Sequence, residues 1–112
     1  MVPYLGDFSE DQTVFVAFNT FDSNDPSASV TITNLADTDI HIHKDDGTTQ
    51  HSSATDVDVQ IDFDTITGNH LVEIRTTNVF FTTGADYFVR MEGTTVDGAT
   101  INAWIAHFSI RS

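Results

Sequence analysis

The side chains of this chain that could do chemistry are carboxylates and histidines: 17 Asp and Glu, five His and no cysteine. Thiolate catalysis and disulfide stapling are thereby excluded. Asp56, Asp58, Asp62 and Asp64 fall at alternate positions, with Gln60 between the two pairs, and suggest the paired carboxylates of a glycosidase, which needs two carboxyls across a cleft, one with a raised pKa. Alternate positions of one strand instead meet water alike, so the series reads as a solvated face that deters edge-to-edge pairing. His41 and His43, with Asp39 next along, have a spacing that Zn²⁺ or Ni²⁺ can use. With no third His or Cys at local spacing, the pair falls short of a site. Asp22-Ser23-Asn24-Asp25, Asp45-Asp46 and Asp37 with Asp39 offer the hard oxygens that Ca²⁺ takes, but none matches an EF-hand loop. Loop Asp and Asn more often cap their own turns. No nucleophile elbow, Walker loop or His-Glu-x-x-His occurs, so the expectation is no enzyme, no catalytic residue, no cofactor and no metal.

The elements that would position these residues are strands. Nine Phe and many Val and Ile stand against three Leu, at Leu5, Leu35 and Leu71, a balance that favours sheet over helix. At 112 residues the chain has the size of one domain. Residues 84–110 organise it: two limbs rich in aromatic and β-branched side chains flank Asp97-Gly98, a strong hairpin signal. Tyr87, Val89 and Met91 share a face of the first limb, and Trp104, Ala106, Phe108 and Ile110 a face of the second. Both faces, Trp104 included, are expected in or against the core.

Earlier in the chain, residues 13–20 place Val14, Val16 and Phe18 on one side and Phe15 and Ala17 on the other; two apolar sides predict a central or covered strand. Residues 28–33 and 38–44 alternate, with Val30, Ile32, Ile40 and Ile42 inward. Residues 48–54 are small and polar, a loop or weak edge strand. Residues 56–64 alternate most cleanly, with Val57, Val59, Ile61 and Phe63 opposite the Asp series; a strand sorts them completely and a helix would scatter them. Residues 70–76 form a further strand with Val72 and Ile74 on one face. Residues 79–83 then cross between sheets in a short turn or a single helical turn that buries its Phe side chains. Seven or eight short strands without an amphipathic helix predict an all-β fold, two antiparallel sheets in a β-sandwich spanning residues 13–112. Residues 1–12 precede it as an arm or edge strand.

Net charge of −13 makes nucleic acid and anionic membrane poor partners. Fourteen of the acids are Asp and only Lys44 is Lys, a composition like that of proteins from saline settings. Neither a signal peptide nor a membrane-length apolar run is visible, so the expected history is synthesis in the cytoplasm and then assembly into something larger.

Two resemblances follow from particular residues. Thr83-Gly84-Ala85-Asp86-Tyr87-Phe88-Val89 resembles the entry to the penultimate strand of immunoglobulin-like domains, where a Tyr forms the tyrosine corner. It implies an immunoglobulin-like topology, although the Cys and Trp pattern of antibody domains is missing. Tyr4-Leu5-Gly6-Asp7-Phe8, Val59-Gln60-Ile61-Asp62-Phe63-Asp64, Thr67-Gly68-Asn69-His70, Phe80-Phe81, Thr95-Val96-Asp97-Gly98 and Phe108-Ser109-Ile110 together resemble small β-sandwich proteins encoded among the structural genes of tailed viruses of bacteria or archaea. That likeness implies a virion structural protein and brings no catalytic residues. The resulting expectation is a capsid decoration or cement protein that binds the major capsid protein, with a neck, tail or baseplate component as the alternative. A carbohydrate- or receptor-binding module is the competing class, and it would need Trp104 and Tyr87 exposed. A homo-oligomer is expected, since capsid three-fold sites call for closed cyclic assemblies. The contact residues are expected in the arm, at Tyr4, Leu5 and Phe8, which are more apolar than a free tail requires.

Overall fold

Alternation of apolar and polar side chains dictates strands over most of the chain, and the computed structural model, which describes residues 3–111, contains nine. They are β1 (Tyr4–Phe8), β2 (Thr13–Asn19), β3 (Ile32–Thr33), β4 (Ile40–Lys44), β5 (Gln50–His51), β6 (Val57–Gln60), β7 (Asn69–Arg75), β8 (Asp86–Val96) and β9 (Ala99–Ile110). Single 3-10 turns lie at Asp37–Asp39 and Phe63–Thr65. Among the described residues no helix is long and apolar enough to cross a membrane. The fold is all-β, in two sheets. One has the order β1-β9-β8-β4-β5, with β3 also on β8; the other has three strands, β2-β7-β6. The β1–β9 pair is parallel and the rest are antiparallel.

The inward side chains of both sheets form one core. Val14, Val16, Val57, Val72 and Ile74 from the smaller sheet meet Ile40, Ile42, Tyr87, Val89, Met91, Ala106, Phe108 and Ile110 from the larger. Each fully buried aliphatic or aromatic side chain contributes about 1.5–3 kcal/mol to folding. Residues 76–85 cross between the sheets in turns, burying Phe81 and half-burying Phe80. The last two long strands join at Asp97-Gly98, where φ of 50° and 79° gives the left-handed two-residue turn that suits hairpin twist.

Several sequence expectations are corrected. Trp104 is 49% exposed rather than core, because Val89 pairs with Ala106 while Arg90 pairs with Trp104. Ile105 is thus an extra residue in β9, and this bulge reverses the facing of what precedes it. The strand expected over residues 56–64 stops at Gln60, leaving Ile61 and Phe63 exposed, at 36% and 44%. Asp62 ends it by adopting a left-handed φ of 52°, with its carboxylate accepting from Gly68 N–H (2.8 Å) and Thr31 Oγ1 (2.6 Å). Nor is β2 central or covered: it is an edge strand, and Phe15 is 53% exposed. Only Ile32–Thr33 of the strand expected at residues 28–33 forms, since Ser29 is drawn into a bridge with Phe21.

Candidate functional site

The four aspartates of the apparent ladder are dispersed. Asp56 is buried with its Oδ2 2.7 Å from His51 Nε2, Asp58 is exposed 3.8 Å from Arg75, and Asp62 and Asp64 belong to the turn after β6. The hydrogen bonds from Thr31 and Gly68 hold the Asp62 carboxyl below the ordinary carboxylate range, opposite to what a general acid needs. The loop acids cap backbone. Asp22 Oδ1 accepts from Asn24 and Asp25 N–H, Asp37 Oδ1 from Val59 N–H and Asp39 Oδ2 from Ala36 N–H. Asp46 takes the Thr48 and Thr49 N–H groups, both at 2.9 Å, and these bonds lower its pKa to about 2. Among the described residues no three His, Asp or Glu side chains converge as a metal ion would require.

His41 and His43 lie two apart on β4, yet each has its own partners. His43 is buried; its Nδ1 lies 2.8 Å from Gly47 O, and its Nε2 accepts from Arg90 Nε at 3.1 Å. An acceptor at Nε2 requires the proton on Nδ1, so both ring nitrogens are engaged. His41 Nε2 lies 3.6 Å from Glu92. The expected arm is the edge strand β1, and its Met1 and Val2 lie outside the described residues. Leu5 and Phe8 pack on the core, Phe8 edge-on to Phe108 at 6.0 Å. Tyr4 faces outward, its hydroxyl bonded to Asp7.

Register brings Tyr4 into a surface that the sequence reading missed. Tyr4 pairs with His107, His107 with Phe88 and Phe88 with His43, so one cross-strand row of rings spans β1, β9, β8 and β4 on the outer face of the larger sheet. Tyr4 and His107 are 4.7 Å apart and His107 and Phe88 5.4 Å, the latter stacked. Beside them runs a second row, Trp104, Arg90 and His41. Arg90 lies 5.9 Å over the Trp104 ring, and His43 meets that ring at 5.1 Å. Glu92 holds the guanidinium at 2.5 Å, and that charged hydrogen bond lowers the Glu92 pKa. Same-face cross-strand neighbours of this kind support each other. The patch gathers aromatic rings with fixed hydrogen-bond donors and acceptors at one side. Part of its signal was present in sequence: the outward positions His41, His43, Phe88, Arg90 and His107 carry rings and a guanidinium where a solvated strand face carries Ser, Thr and Asp, whereas Trp104 joins them only through the bulge at Ile105. No protein-family model matches the chain, and no curated protein or solved structure matches it.

Proposed function

We propose that this is a non-enzymatic virion structural protein of a tailed virus, an immunoglobulin-like β-sandwich that decorates or cements the capsid by binding the major capsid protein. The strand order supports the topology: β9-β8-β4-β5 stand where variable-type immunoglobulin domains have one sheet, and β2-β7-β6 where they have the other. Tyr87 supports it too, its buried hydroxyl donating to Phe80 O (3.1 Å) and accepting from Thr82 N–H (2.7 Å). The observation that carries the binding role is the aromatic surface ending in Tyr4, since rings held against one another across neighbouring strands provide contact area at little entropic cost. Imaging of particles carrying labelled protein tests it. Signal over the whole head is expected, whereas signal at one vertex would move the protein to the neck or tail. Tyr4→Ala and Trp104→Ala should each weaken head binding by about tenfold or more, the loss of one aromatic anchor.

A carbohydrate-binding reading is favoured by one finding, the exposure of Trp104 beside Arg90 and Glu92. An aromatic face with adjacent polar groups suits a sugar ring, although Tyr87 is buried and takes no part. Glycan-array binding abolished by Trp104→Ala would support this reading. A blank array would remove it.

A further inference from the structure

Most strand edges here are guarded against pairing with another chain. On the β6 edge the Val59 N–H is taken by the Asp37 carboxylate and the Val57 N–H by Ser53 O. The β1 edge carries Gly6 at φ +111°, a register shift between Tyr4 and Asp7, and an acid at Asp7. Strands β3 and β5 are two residues long. The β2 edge differs. Its seven residues, Thr-Val-Phe-Val-Ala-Phe-Asn, include no charge, no Pro and no Gly, and they pair with β7 in unbroken register from Thr13–Arg75 to Asn19–Asn69.

The ladder shows which backbone groups are open. Thr76 N–H bonds Gln12 O at one end and Thr20 N–H bonds Gly68 O at the other, so even-numbered residues exchange hydrogen bonds with β7. The N–H and C=O of Thr13, Phe15, Ala17 and Asn19 therefore point away from the sheet, and β7 is the only strand with which β2 pairs among the described residues. The outer face is graded to match. Next to this edge it is apolar, with exposed Phe15 and Ala17 and half-buried Leu71, and toward β6 it becomes polar at Glu73, Gln60 and Asp58.

The geometry points to a second copy of this chain as the occupant, by antiparallel β2–β2 pairing that continues the three-stranded sheet across a two-fold axis. The strand is self-complementary about Val16. With Val16 on the axis, Phe15 of each copy lies opposite Ala17 of the other, large against small, and Thr13 lies opposite Asn19. The outward backbone groups of those four residues then meet in hydrogen-bonded pairs. Two chains of net charge −13 can approach at this edge because the strand itself is uncharged. Their residual repulsion makes the association salt-strengthened. This dimer stands apart from the virion reading and holds wherever the protein works.

Sedimentation equilibrium of the full chain at low salt and at about 1 M NaCl is the test, with Ala17→Lys and Ala17→Pro as edge variants. Both alter an outward position whose N–H is not used by β7, and far-UV circular dichroism checks that each folds. The wild type should dimerise more tightly at high salt, and a folded variant should dimerise at least about tenfold more weakly. A wild type monomeric in both salts overturns the dimer. So does dimerisation by a folded variant with wild-type affinity. Shifts of the Phe15 and Ala17 amides on adding an extended peptide to a monomeric wild type would also overturn it, assigning the edge to another protein's strand.

Discussion

Tyr87 joins packing and hydrogen bonding in one side chain. Its ring lies between Phe81 and Phe108, each at 5.3 Å, and its hydroxyl pins the crossing segment through Phe80 and Thr82. Tyr87→Phe keeps the ring and leaves the Thr82 N–H without its acceptor, so it should lower stability by about 1–2 kcal/mol. Urea denaturation measures the difference, and an unchanged midpoint would mean the hydroxyl contributes nothing. Protonation of His70 bears directly on the fold. Its Nδ1 accepts the Asp62 N–H at 3.1 Å and its Nε2 lies 2.8 Å from Thr20 Oγ1, an arrangement that needs a neutral ring with the proton on Nε2. Burial lowers the His70 pKa from 6.5, and the Asp62 carboxylate opposes the shift only in part. The unfolded chain therefore binds a proton that the folded chain resists. The neutral ring's contribution is complete above pH 6.5 and declines as pH falls below it, until the folded-state value is passed. A denaturation midpoint that falls as pH drops from 7.5 to about 5.5 is expected, with faster exchange of the Asp62 amide. A flat midpoint over that interval would contradict it.

Between β6 and β7 the chain turns on Gly68, where φ is +84° and an added Cβ would sit 2.9 Å from Ser29 Cβ and 3.0 Å from Thr20 O. Gly68→Ala meets both left-handed strain and a close approach to backbone, and should cost about 1–3 kcal/mol or more. Thermal unfolding would show it as a lowered midpoint; a neutral variant would mean this turn yields easily. The same segment explains where the sequence misled. Val57, Val59, Ile61 and Phe63 alternate without a break, but alternation records only which side chains are apolar. It carries no sign that Asp62 takes a left-handed conformation stabilised by Thr31, Gly68 and His70, because those partners come from other parts of the chain. Trp104 was misplaced for a related reason. The bulge at Ile105 leaves the pattern through Ala106, Phe108 and Ile110 intact and reverses everything before it. By contrast the Asp97-Gly98 turn and the inward positions of β4, β7 and β8 were legible, since local conformational preference and burial agree there. The aromatic surface was only half legible: its members sit on four strands, and only register puts Tyr4 beside His107 and His107 beside Phe88.

For the molecule as a whole, charge is the dominant unbalanced force. Its four cations are already engaged: Lys44 lies 5.6 Å from the centre of the Phe80 ring, Arg75 donates to Thr55 O, Arg90 is held by Glu92 and Arg111 by Asp86. What remains outward is carboxylate, spread over a body whose principal extents are 43 × 28 × 25 Å. At about 0.01 M salt the Debye length is ~30 Å, comparable to those extents, so the carboxylates across the surface repel one another; near 1 M it is ~3 Å and only immediate neighbours interact. Folding concentrates this charge and unfolding disperses it, so the repulsion weighs more heavily on the folded state. Raising NaCl across that range should therefore raise the thermal midpoint, most steeply at the low-salt end where screening length changes most. Adding KCl in place of NaCl should do the same, because screening depends on ionic strength and not on a bound Na⁺. A midpoint that rises with NaCl alone would instead point to a specific cation among the Asp loops. One that stays flat in both salts would mean the carboxylates are too well hydrated and too far apart to strain the fold.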